Sequence, residues 1–331
     1  MNATYKTSGV DIDAAENTLN RIKNHVRSTY NSNVIADIGH FGGMFKFDTA
    51  KYEEPILVSS VDGVGTKLKV AIELGIHSTI GQDLVNHCVN DIAVCGADPL
   101  FFLDYMAFGK LNEDIASDIV EGFSIACKEN GCSLIAGETA EMPGVYSDKD
   151  YDLSGTVVGA VDKKEILDGK NIKAGDILIG FPSNGLHTNG YSLARKVLQQ
   201  KYNLKDKLEL LGTTLGEELL RVHKSYLNLI KKVRSGYSVN GFAHITGGGI
   251  IGNTSRIIPE GLYIKINWDS WKAPAIFKLI QEDGNISDNE MRKVFNMGIG
   301  LIAVVPKDQE EKITQTAHSL NEHSFVIGEV Y

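Results

Sequence analysis

Nowhere in the sequence do the roughly 18 apolar residues of a bilayer-spanning helix follow one another, and the N-terminus has no apolar run with basic flanks. Neither a membrane span nor a signal peptide is expected, which points to the cytoplasm. Cysteine is scarce: Cys88, Cys95, Cys127 and Cys132 are the only four, with no C-x-x-C pair and no paired zinc spacing. Their apolar surroundings read as a reduced core rather than as disulfides. Positive charge is also in deficit, with 33 Lys and Arg against 42 Asp and Glu and a net charge of -9. That argues against a nucleic-acid backbone as partner, because such a ligand wants a basic face. A phosphate on a small ligand must then be held by local cations and N–H groups. Short-period repeats and low-complexity tracts are absent as well.

The 331 residues, 43% hydrophobic and 23% charged, suffice for two globular domains. Asp13 and Glu16 resemble a capping box, and Ala15, Leu19, Ile22 and Val26 then recur at helical spacing, with Lys23 beside the stripe. Pro55 to Val58 reads as a buried strand and Leu68 to Leu74 as a helix. A helix from Ile80 to Cys95, a strand from Leu100 to Met106, a short strand from Ser133 to Ala136 and a strand from Leu153 to Val161 follow. The polar stretch from Asp162 to Gly175 marks a boundary, giving domains 1–168 and 169–331. In the second half, Asp176 to Phe181, Leu262 to Ile266 and Ile299 to Val305 read as strands, with helices after Gly190 and Gly249. Mixed strand and helix order predicts α+β or α/β layers in both halves, not a barrel of eight βα units.

Between the first strand and its helix lies Asp62-Gly63-Val64-Gly65-Thr66-Lys67. A strand-to-helix junction with glycines presents N–H groups and a helix dipole to an anion. Asp62 repels a bare phosphate, so Mg²⁺ would have to lie between them. The same residues also suit a tight turn with a surface lysine, and the spacing matches neither the Walker A nor the dinucleotide fingerprint. Asp91 on a helix and Glu138 after a strand are further carboxylates that could converge on the ion, or could be a solvated helix charge and a loop cap. His87 and Asp91 stand at i and i+4, a spacing that can suit a metal, but no third His or Cys sits at a companion spacing and His87 reads as structural. In the second half, Gly185-Leu186-His187-Thr188-Asn189-Gly190 would present His187 at the mouth of a strand–helix turn, as a proton carrier or as a bystander in a capping cluster. Thr246-Gly247-Gly248-Gly249 before a helix, with Arg256 two turns along, is a second candidate anion site or a tight loop.

Taken together, Tyr5 to Asp13, Arg21 to Lys23, Asp62 to Lys67, Val89 to Asp91, Gly96 to Asp104, Gly137 to Gly144, Gly185 to Ser192, Thr246 to Gly249 and Phe295 to Gly300 span nearly the whole chain in order. In these motifs the chain resembles the phosphoribosylformylglycinamidine cyclo-ligase family; Gly-Glu-Thr-Ala-Glu-Met-Pro-Gly at 137–144 is the most specific. The resemblance implies a homodimer whose N-terminal halves build a shared β-barrel-like interface flanked by helices, beside a C-terminal α/β sandwich. It implies ATP-dependent imidazole ring closure on a small ribonucleotide, with Asp62, Asp91 and Glu138 holding Mg²⁺. Lys23, Asp62, Gly63, Gly65, Thr66, Lys67, Asp91, Gly137, Glu138 and Thr139 would serve ATP, with Lys23 and Asp62 taking part in catalysis as well. His187 would be the base, with His244 second. Asn189 would orient the substrate, and the Thr246 to Gly249 loop with Arg256 would hold its 5-phosphate. The chain departs from the family in Thr7 and Ser8 and in Ala136 before Gly137, and His87 is not part of the family pattern. A superfamily kinase or phosphate synthetase, and a non-catalytic ATP-binding dimer, are the competing expectations.

Overall fold

The computed structural model describes residues 4–331, which divide into two compact units. Residues up to Ile92 and Asp98–Asp162 form the first; Ala93–Ala97 and Lys163–Tyr331 form the second.

The first unit runs α1 (Ile12–Arg27), β1 (Pro55–Gly63), α2 (Leu68–Leu74), α3 (Ser78–Ala93), β2 (Asp98–Phe108), α4 (Glu113–Glu129), β3 (Ser133–Glu141) and β4 (Tyr151–Asp162). The sheet order is β1-β4-β2-β3, with only the β2–β3 pair parallel because α4 crosses between them. Burial alternates along β1 and β4, so one sheet face packs on helices while the other carries exposed Leu57 and Val61. Phe102, Leu84, Ile119, Phe123 and Val157 are fully buried in the core of this unit. Helices α3 and α4 approach closely where both lack side chains: a Cβ on Gly81 would stand 2.2 Å from the Ile119 carbonyl, and one on Gly122 2.0 Å from that of Ser78.

Two local expectations fail against distant contacts. The cap of α1 is Asp11, whose side chain accepts the Ala14 N–H, and not Asp13. Glu141, far away in sequence, accepts the Asp11 N–H at 2.6 Å and so sets where the helix starts. Glu138 does not follow a strand but lies inside β3, which continues to Glu141 because its backbone pairs with β2 as far as Phe108.

The second unit contains β5 (Ile177–Pro182), α5 (Tyr191–Leu198), a short pair β6 (Lys207–Leu208) and β7 (Thr213–Thr214), α6 (Leu215–Leu219), α7 (Leu227–Gly236) and β8 (Gly241–His244). Then come α8 (Gly249–Thr254), β9 (Ile264–Ile266), α9 (Ala275–Gly284), α10 (Asp288–Val294), β10 (Ile299–Val305), α11 (Glu310–Ser319) and β11 (Phe325–Val330). Its main sheet is antiparallel throughout, in the order β8-β10-β5-β11-β9. Both β5 and β10 are buried nearly end to end, as central strands covered on both faces must be. Among the described residues, no helix is long and apolar enough to cross a membrane.

Candidate active site

In the first unit, β1 and α3 bring two carboxylates together. Ser60 and Asp62 share one face of β1, two residues or about 6.6 Å apart, and His87 and Asp91 share one face of α3, four residues or about 6 Å apart. The periods match, and the pairs lock: Ser60 Oγ donates to Asp91 Oδ2 at 2.9 Å, and His87 Nε2 lies 3.0 Å from Asp62 Oδ2. Burial alone would raise the Asp62 pKa, but the His87 hydrogen bond and charge, with the Gly63 N–H at 2.7 Å, outweigh it and hold the carboxyl below its ordinary range. For His87, burial disfavours the imidazolium, yet Asp62, Asp91 and Asp83 together raise its pKa. The histidine read as merely structural thus grips the central carboxylate. Its spacing to Asp91 was the one available signal.

Glu138 stands elsewhere. From β1 to β3 is three strand spacings, about 14 Å at 4.8 Å each. That is more than an aspartate and a glutamate can bridge, so a single subunit does not gather Asp62, Asp91 and Glu138 around one ion. Lys67 departs from expectation too. Its ammonium is fully buried and lies 2.9 and 2.8 Å from the two oxygens of Asp83, equally buried, so it is not a surface cation awaiting phosphate. Gly65 and Thr66 at the loop tip are exposed, and Gly63 is half-buried.

A cavity of about 290 Å³ opens beneath α1, lined by Ile22, Asp37, His40, Asp104, Glu138 and Thr139 among others. Gly137 forms part of its wall because a Cβ there would stand 2.2 Å from Asp104 Oδ1. Burial, with the charge of Glu138 added, lifts the Asp104 carboxyl to about 7. Half-buried Lys23 lies near enough to help lower Asp37, whose main partner is Arg27 and whose pKa falls to about 2. Sequence reasoning passed over Asp104, which falls in an apolar strand and carries no local signal of a cavity.

In the second unit, three buried imidazoles meet. His187 lies not at an open mouth but inside, 1% exposed, in a left-handed conformation at φ 61°. The Asn184 N–H donates to its Nε2 at 3.1 Å, and its ring stacks on His223 with centroids 4.0 Å apart. His223 Nε2 is 3.0 Å from His244 Nε2, and His223 Nδ1 is 3.3 Å from Thr188 Oγ1. Gly300 permits this packing: a Cβ there would stand 2.1 Å from Tyr226 Oη and 2.7 Å from His187 Cε1. His223 was invisible in the sequence because Val222-His223-Lys224 belongs to no motif.

Nearby on the chain, Asn189 Oδ1 would touch a Cβ on Gly247 at 3.2 Å, so Asn189 does meet the triple-glycine loop. The buried Asn189 Nδ2 has no hydrogen-bond partner among the described residues, a donor consistent with a ligand. Asn253 braces the loop by donating to the carbonyls of Thr246, Gly247 and Gly249. Gly248 caps α8, and exposed Arg256 reaches Asn253 Oδ1 at 3.5 Å.

Two family models match in tandem: AIR synthase related protein, N-terminal domain, over residues 47–161, and AIR synthase related protein, C-terminal domain, over 173–331. The phosphoribosylformylglycinamidine cyclo-ligase of Alkaliphilus oremlandii is 49% identical over 332 residues, covering 100% of this chain and 97% of that protein. The chain belongs to the phosphoribosylformylglycinamidine cyclo-ligase family. The cyclo-ligase of Citrifermentans bemidjiense is 50% identical, covering 99% of this chain and 94% of its own length. Among solved structures, thiamine-monophosphate kinase from Stenotrophomonas maltophilia superposes with a TM-score of 0.72 at 19% identity, covering 95% of this chain and 93% of the kinase. The hydrogenase maturation protein HypE, solved in complex with ATP, gives 0.64 at 16% identity, covering 98% and 87%. At such identities these two establish the fold alone.

Proposed function

We infer that this chain is a ligase that closes the imidazole ring of formylglycinamidine ribonucleotide, giving aminoimidazole ribonucleotide, ADP and phosphate in purine biosynthesis. The observation that carries this is identity near one half with cyclo-ligases along the whole chain, across both domains. An amide oxygen is a poor leaving group. Transfer of the γ-phosphoryl of ATP onto the formyl amide oxygen makes an iminophosphate, the amidine nitrogen adds to that carbon, and phosphate departs. Such transfer needs positioning and charge neutralisation more than covalent help.

The first unit supplies the nucleotide site in this reading. Asp62, held ionised, and Asp91 are oxygen donors on adjoining elements, a donor set that fits Mg²⁺. When bound, the ion neutralises phosphate charge beside the exposed tip of the Gly63 to Thr66 loop. The cavity beneath α1, with Gly137, Glu138 and Thr139 in its wall and Lys23 beside Asp37, takes the nucleoside. Asp104 and Asp62 both register on Gly155, two strand spacings or about 10 Å apart, within reach of an extended nucleotide. Lys67 holds the loop from within and does not touch phosphate.

The second unit supplies the proton acceptor and the substrate grip. His187, with His244 as the second candidate, takes the proton lost on ring closure, Asn189 Nδ2 orients the substrate, and the Thr246 to Gly249 loop with Arg256 receives its 5-phosphate. Exposed Leu57, Val61 and Tyr105 on the open face of the first sheet support a homodimer in which two such faces meet in a barrel-like interface. The two units divide these duties. Incubation with formylglycinamidine ribonucleotide and Mg-ATP, read by diazo coupling of the aminoimidazole, tests the activity. Absence of colour with ATP consumed, or a phosphorylated product instead, refutes it.

A further inference from the structure

We propose that His223 is a positioning residue that orients the His187 and His244 rings and ties the tautomer of His244 to its own. The proposal rests on His187 or His244 accepting the ring proton. Contacts with His187, His244 and Thr188 converge on the buried His223 ring. One face stacks on His187 at 4.0 Å between centroids. Its Nε2 meets His244 Nε2 at 3.0 Å, its Nδ1 meets the Thr188 hydroxyl at 3.3 Å, and Thr188 follows His187 directly in the chain.

Two neutral imidazole nitrogens at 3.0 Å share one proton, since two lone pairs repel and two N–H groups clash. The tautomers of His223 and His244 are therefore tied together. If His223 donates through Nε2, its Nδ1 must accept from Thr188; if it accepts, Nδ1 donates to Thr188, whose hydroxyl serves either sense. The same ring braces His187, whose left-handed backbone is an uncommon conformation for a residue with a side chain. Anchoring the Thr188 hydroxyl on His223 holds the turn that carries His187.

The test uses full-length protein selectively labelled with ¹⁵N-histidine, together with His223→Phe and His223→Gln. Wild type is expected to show ¹⁵N–¹⁵N coupling across the His223–His244 hydrogen bond and complementary protonation of the two facing nitrogens. His223→Phe keeps a stacking ring but no nitrogen. It should lose about tenfold or more in kcat, with KM for both substrates nearly unchanged, and should shift the His244 resonances. His223→Gln, which restores a donor and an acceptor on one amide, should recover part of kcat. A folded His223→Phe with wild-type kcat and unshifted His244 resonances would overturn the proposal. So would absence of coupling in wild type, a result that does not require any variant to fold. His187→Asn and His244→Asn test the underlying reading separately: full ring-closure activity in both would remove the proton-acceptor assignment, whatever His223 does to the spectrum.

Discussion

The buried pair Lys67–Asp83 separates two views of the loop that ends in Lys67. If the ammonium binds phosphate, Lys67→Met folds normally and loses ATP. The structure says otherwise, because both side chains are fully removed from water at 2.8 to 2.9 Å. An exposed pair is worth about 1 kcal/mol or less, but removing one partner of a buried pair strands the other charge at a cost of about 3–5 kcal/mol. With the first unit near 150 residues, each kcal/mol moves the midpoint by roughly 2–4 °C, so Lys67→Met should lower its Tm by about 10 °C. Asp83→Leu should do the same. The double variant Lys67→Met with Asp83→Leu removes both charges and should recover most of the loss, a large coupling in a double-mutant cycle. Calorimetry gives the midpoints, and binding of a fluorescent ATP analogue reports the loop. A Lys67→Met protein melting within about 2 °C of wild type while binding ATP tenfold more weakly would refute the reasoning.

Three further outcomes follow from other parts of the fold. The Asp104 carboxyl is raised to about 7 in the native state, so between the ordinary carboxylate range near 4 and pH 7 the native state binds the extra proton and stability falls as pH rises, by up to roughly 1.4 kcal/mol per unit. Asp104→Asn should therefore flatten this slope, gaining stability at pH 8 and little at pH 4, as urea titrations at the two pH values will show; equal effects at both would contradict the assignment. In the proposed homodimer, Leu57→Asp combined with Val61→Asp places charge on the exposed apolar sheet face and should yield monomers in sedimentation equilibrium, with each subunit still folded. An unchanged dimer would move the interface elsewhere. Gly300→Ala forces a Cβ against Tyr226 and His187 and should cost about 1–3 kcal/mol and lower kcat, whereas a normally melting, fully active variant would deny that the packing is tight.

Local chemistry made much of the fold legible. Residues Leu68–Leu74 and Ile299–Val305 fall where apolar runs and flanking glycines place them, because helix and strand periods are properties of neighbouring residues. The family, and with it the reaction, was legible in motifs such as 137–144. What could not be read locally was which side chains meet. The start of α1 depends on Glu141, 130 positions from Asp11, and the length of β3 depends on its register against β2. Asp62 meets His87 only because α3 lies over β1, Lys67 turns inward only because Asp83 waits one helix away, and Glu138 is set apart by strand order. Sequence alone determined where the strongly periodic elements lie, the chemistry available and the family. Tertiary structure decided the partners of each charge and the trio of imidazoles, since contact between distant residues arises from packing of whole elements, a cooperative outcome that no short spacing encodes.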